Sequence, residues 1–248
     1  MRRFLFVLSL FFLPGMLMAQ ALGHFPPDSL VNTKVIPHGT PVIQVIGMMR
    51  DIATSLGARC QFCHVGQEGL PLGQFDFSSD QKTNKLIARQ MMRMVEEINR
   101  RVDTLPGRET NGLHVTCETC HRGVNTPTPL SQVIIDIATT AGADSATRAY
   151  RALRQQYYGR ASYDFGERSL NTAAFRLARA GKFDEAFAML RLNAEMFPGS
   201  TGMAVIRGNV DLMKGDTSAA AAAFREAIQL DPTNDEAKGR LRSIGQQP

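Results

Sequence analysis

Apolar residues are distributed along the chain in three ways, and each predicts a different element. At the N-terminus they form a nearly continuous run, Phe4 to Leu13, behind Arg2 and Arg3 and ahead of the small stretch Ala19 to Ala21. A basic start, a short apolar centre and a small-residue end make the pattern of a secretory leader over residues 1–21. An uncleaved anchor is the alternative, but spanning a bilayer takes about 20 apolar residues. Between Thr40 and Val102 the apolar positions recur at helical spacing. Thr40 suits a cap, Pro41 a first turn and Gly57 a stop, around a stripe of Val42, Val45, Ile46, Met49, Ile52, Ala53 and Leu56. A second helix is expected from Ser78 to Val102, with Ile87, Met91, Met94, Val95 and Ile98 on one face.

From Phe165 onward the sequence turns alanine-rich and repeats itself. Gly181 and Gly215, Ala186 and Ala220, and Pro198 and Pro232 each stand 34 residues apart, the tetratricopeptide period. Two such helix-turn-helix units are expected, closed by a helix over "DEAKGRLRSI", with Ala146 to Ser162 as a source of one more helix. Repeats of this kind bury their faces on neighbours and offer a groove to partner segments, or brace an adjoining domain.

Composition adds little to this division. At 248 residues, 44% hydrophobic and 21% charged, the chain is an ordinary globular one of about two domains. Loss of the leader's two arginines takes the formal charge from +5 to +3, and no dense run of Lys and Arg occurs. Nothing here marks a nucleic-acid partner.

The cysteines change the picture. All four lie in two copies of C-x-x-C-H, within "RCQFCHVG" and "GLHVTCETCHRG". Disulfides are the first test for an exported chain, but a bridge across C-x-x-C closes a tiny loop and leaves the adjacent histidine unexplained. A redox dithiol would sit beside a βαβ pattern, which is missing. Zinc is disfavoured by the 53 residues between Cys63 and Cys117, against roughly 15 to 20 in a usual knuckle. The remaining reading is c-type haem attachment: Cys60 and Cys63, and Cys117 and Cys120, hold two porphyrins by thioether bonds, while His64 and His121 each supply one axial nitrogen. Methionine or a second histidine would supply the opposite ligand. His24 and His38 lie in Pro-rich sequence and His114 stands close before its own motif, whereas each motif is preceded by a helix carrying methionines on its apolar face.

These segments resemble the cytochrome c subunit of photosynthetic reaction centres. The resemblance rests on "SLGARCQFCHV", "FSSDQKTNKLIARQMMRMVEEIN" and "VTCETCHRG" followed by "TPTP", about 90 residues from Val42 to Pro129. It implies Met49 as the sixth ligand at the first motif and Met91 at the second, with Met48 and Met92 as neighbours competing for those roles. Arg89 and Arg122 either pair with haem propionates or face solvent. The family's subunit carries two such pairs of haems, whereas this chain carries one.

The expected architecture is mostly α: a multihaem cytochrome domain with little regular sheet at 22–130, a linker at 131–146 and tetratricopeptide-like repeats at 147–248. The expected function is single-electron transfer in the periplasm or another exported setting, with attachment to the outer face of the inner membrane as a further expectation. The partners implied are a redox donor and acceptor, a protein on the repeats and a membrane complex. The rivals are a dihaem peroxidase-like enzyme with one open iron, and a docking or assembly protein built on the repeats.

Overall fold

Pro41 and Gly57 bound the first helix, α1, which runs Val42–Leu56. The Thr40 hydroxyl, expected to cap it, turns back and donates to the Pro37 carbonyl (2.8 Å). At the far end Gly57 takes a left-handed φ of 61°, and the Ala58 N–H reaches the Ala53 carbonyl at 2.9 Å, which ends the helix. This computed structural model of the chain describes residues 24–107 and 112–247, so the expected leader lies outside the described residues.

Two short turns carry the cysteine motifs: α2, Cys60–Cys63, and α4, Cys117–His121. Between them α3 spans Thr83–Val102, starting five residues later than the sequence pattern predicts. The reason is local. Asp76 Oδ1 accepts from the Ser78 and Ser79 N–H groups at 2.9 Å each, so residues 76–80 close into a side-chain-capped loop before the helix can begin.

The stretch expected as a linker, 131–146, is helical. It belongs to α5, Leu130–Tyr157, whose one non-helical residue is Gly142 at φ 81° and ψ 173°. Leu130, Ile134, Ala138, Ala146 and Tyr150 fall at intervals of four or eight along it, and all are buried. That stripe packs on α6, Glu167–Arg179, and α7, Phe183–Met196. Helices α8, Thr201–Lys214, and α9, Thr217–Leu230, form a second antiparallel pair, and α10, Asp235–Ser243, covers the end of α9.

Regular structure among the described residues is helical apart from one isolated antiparallel bridge, Val65 with Asp76. The chain divides into two compact units, one of residues up to Arg50 with Arg59–Glu96, the other of Asp51–Ala58 with Glu97 onward. This differs from a boundary near residue 130. The ends of α1 and α3 are hydrogen-bonded to the second cysteine motif: Gly123 N–H donates to Ser55 O (2.8 Å), and Asn99 brackets Val115.

Candidate functional site

In the first motif α2 closes when the His64 N–H donates to the Cys60 carbonyl at 2.9 Å, after which the chain leaves extended. Asn84, in the first turn of α3, donates its amide to the Phe62 carbonyl between the two cysteines (3.1 Å). The Phe77 ring meets the edge of the His64 imidazole, with centroids 4.9 Å apart and planes at 64°, and is itself stacked on Phe75 (5.7 Å). The His64 Nδ1 is buried and makes no close hydrogen bond, though the Phe77 backbone acts on the ring to favour its charged form. Burial, and then the Lys85 ammonium, hold the imidazole pKa below its ordinary value, so the ring stays neutral and able to ligate.

The second motif is held more firmly. The Thr119 hydroxyl accepts from the Thr116 N–H (3.0 Å) at the start of α4. Asn99 donates to the Val115 carbonyl and accepts the Val115 N–H, both at 2.8 Å, two residues ahead of Cys117. Arg122 adopts a left-handed φ of 49°, its carbonyl receives the Ser162 hydroxyl at 2.6 Å, and the following N–H is bound by Ser55. His121 is buried, 8% exposed, and its Nδ1 lies 2.9 Å from the Val124 carbonyl. A carbonyl can only accept, so Nδ1 carries the proton and Nε2 is left as the lone-pair donor.

The four thiols are not joined to one another; Cys60 and Cys120 are exposed, Cys63 and Cys117 half-buried. Burial pushes the Cys63 and Cys117 pKa values up, the opposite of an activated nucleophilic or redox thiolate. Among the described residues no three His, Cys, Asp or Glu side chains converge into a metal cluster.

Of the methionines, Met49 is half-buried, whereas Met48 is 36% exposed; Met91 and Met92 are both half-buried. His24, His38 and His114 are all exposed. Arg122 is exposed, but Arg89 does not face solvent: it pairs with Asp80 (2.9 Å) and donates to the Asn32 carbonyl (2.9 Å). Beside it lies a residue that the sequence reading passed over, Lys85, buried and ringed by loop carbonyls. A signal was present: two cations at i and i+4 on one face repel unless an anion lies between them, and Asp80 precedes them.

Haem fits these residues. Besides the protonated Nδ1 of His121, a large apolar partner suits the side chains that protein leaves uncovered: Ile43 is 68% exposed, and Ile87 and Met94 are 52% exposed each. Of all the buried hydrophobic residues described, only Val45 and Val124 precede Leu130. The donor set supplies two thiols and one imidazole per motif, which are the groups that covalent attachment and axial ligation need.

Residues 68–166 match the protein family described as photosynthetic reaction centre cytochrome C subunit. The match takes in the second motif, Met91, Arg89 and Arg122, begins beyond His64, and continues through α5 to Gly166, farther than the resemblance in sequence extends. A relative is cytochrome c-554 of Chloroflexus aurantiacus, 33% identical over 75 residues, which are 30% of this chain. The aligned part spans 16% of that protein's length. The chain thus carries a c-type cytochrome region related to reaction-centre cytochrome subunits.

Proposed function

We propose that the chain is an exported dihaem cytochrome that passes single electrons between a donor and an acceptor protein. The observation that carries this reading is the buried His121 ring: its Nδ1 proton is committed to the Val124 carbonyl, and its Nε2 is free to bind iron at a C-x-x-C-H turn. His64 follows an equivalent turn and is held neutral. Met49 and Met91 supply the sixth ligands, with Met49 favoured over Met48 by its burial. A bound haem c supplies reversible one-electron chemistry at iron, with His/Met ligation favouring the reduced state.

The chain's own residues do the rest. The cysteines fix the group covalently, the Val124 carbonyl keeps the His121 ring in one tautomer, and Asn84 and Asn99 hold the turns against α3. Were Met49 and Met91 to ligate opposite His64 and His121, each iron would be closed to substrate and would serve electron transfer alone. Among the described residues no helix is long and apolar enough to cross a membrane; the leader-like N-terminus supports a periplasmic or otherwise exported location, with membrane association through a partner complex. The helix pairs α6–α7 and α8–α9 act as tetratricopeptide-like units and hold a protein partner.

The test is expression of the full chain with a haem-attachment system. The expected product holds two covalent haems, both low-spin, and changing Met49 or Met91 to Ala makes one of the two high-spin. A colourless protein, or one holding zinc, overturns the proposal; a high-spin haem in the unaltered chain favours the peroxidase-like enzyme instead.

A further inference from the structure

Lys85, the single lysine of α3, is buried, at 9% exposure. Its Nζ donates to three backbone carbonyls of a single loop, Phe77 (2.8 Å), Ser78 (3.1 Å) and Ser79 (2.8 Å), which uses all three of its N–H groups. Asp80 stands 3.3 Å away and is shared with Arg89 and with the Asn32 amide. A lysine costs much to bury and to order, so such a cage has to hold something in place. What the loop carries is Phe77, whose ring leans on the His64 imidazole and is backed by Phe75 and Phe25.

His121 is oriented by a carbonyl on its Nδ1, 2.9 Å away. The His64 imidazole instead has Phe77 against it twice, through that residue's backbone and through its ring. Charge acts on it as well: the cations of Lys85 and Arg89 and the carboxylate of Asp76 all act on the imidazole, and Asp80 pairs with both cations, so loss of Lys85 alone would leave the surroundings less positive.

We propose that Lys85 is a positioning residue for His64: by gathering the carbonyls of residues 77–79 it seats Phe77 against the imidazole, fixes the plane in which this ligand meets its iron, and lends a positive charge that raises the reduction potential at the first motif. The inference rests on the haem reading above and adds the element that distinguishes the two motifs. A positive charge near the iron favours the reduced, less positive form, and in a partly dry site the effect is weakly screened.

The test uses the full chain with both haems attached and three variants, Lys85→Met, Phe77→Leu and Lys85→Arg. Haem per chain, the two midpoint potentials and the low-spin electron paramagnetic resonance signals are measured on each. Lys85→Met is expected to keep two haems, lower one midpoint and leave the other unmoved. Phe77→Leu, which leaves the charges alone, is expected to alter the low-spin signal of that same haem, and Lys85→Arg to return the midpoint toward the original. Unmoved midpoints in Lys85→Met, or an equal shift of both, overturn the inference while leaving two-haem electron transfer standing. Should Lys85→Met fail to fold, Phe77→Leu decides alone, and an unaltered signal overturns it. A haem-free starting protein overturns the earlier reading and this one with it.

Discussion

Asn99 makes two backbone hydrogen bonds to Val115, one as donor and one as acceptor, which a side-chain amide can do at once. At about 1 kcal/mol for each such bond, Asn99→Ala is expected to cost about 2 kcal/mol, read as a lower urea midpoint with an unchanged slope. Asn99→Asp keeps the acceptor and loses the donor, so it should fall between the two. Asp80 offers a test by pH. The Arg89 guanidinium first, then the Asn32 amide and the Lys85 ammonium, hold its carboxyl well below the ordinary 3.8. A depressed carboxyl stabilises the fold above its unfolded value and loses that contribution as pH falls toward the folded one. The stability gap between the natural chain and Asp80→Asn should therefore be full above about pH 4 and shrink on further acidification. A gap that stays constant with pH would remove Asp80 from the account.

At the scale of elements, two glycines separate torsional strain from collision. Gly57 ends α1 at φ 61°, and an added Cβ would stand 2.1 Å from the Gly123 carbonyl oxygen. Gly142 breaks α5 at φ 81° with nothing within 4 Å of its Cβ direction. Gly142→Ala should cost only the torsional strain, roughly 1–3 kcal/mol, whereas Gly57→Ala adds a backbone clash at the second motif and should cost more. Thermal unfolding of both variants orders them; equal losses would mean that the Gly57–Gly123 contact yields freely. These elements also mark what was legible in the sequence. The cysteine–histidine turns and α1 were readable because spacing and punctuation carry them. The helical character of the later part was readable from its alanine-rich composition. The body of α5 was not, because "ATTAGADSATRA" looks like a linker. Its buried stripe uses alanines at 138 and 146, whose small side chains give no hydrophobic period to see, and only the neighbouring helices make them core. The Lys85 cage was hidden for a different reason: backbone carbonyls of a loop leave no trace in residue type.

Over the whole chain, burial is divided unequally. One apolar cluster joins α5, α6 and α7 with part of α8, and a second joins α8, α9 and α10. Among the described residues before Leu130, only Val45 and Val124 join the buried hydrophobic set, although α1 and α3 are amphipathic. Helices of this kind draw most of their stability from packing of the apolar face rather than from propensity. The described part after Leu130 has that packing from its own side chains; the described part before it has aromatic, hydrogen-bond and charge contacts around a few turns, and the haem reading makes the macrocycle its missing core. Cys60, Cys63, Cys117 and Cys120 all changed to Ser should therefore leave α5–α10 folded and loosen 24–129. Limited proteolysis is expected to cut the altered chain first ahead of residue 130 and to leave a resistant C-terminal fragment, while the haem-loaded chain resists throughout. Equal protection of 24–129 in both forms would mean that the polar contacts alone hold α1, α3 and the two turns, and that haem is a passenger on a preformed scaffold rather than the centre of its core.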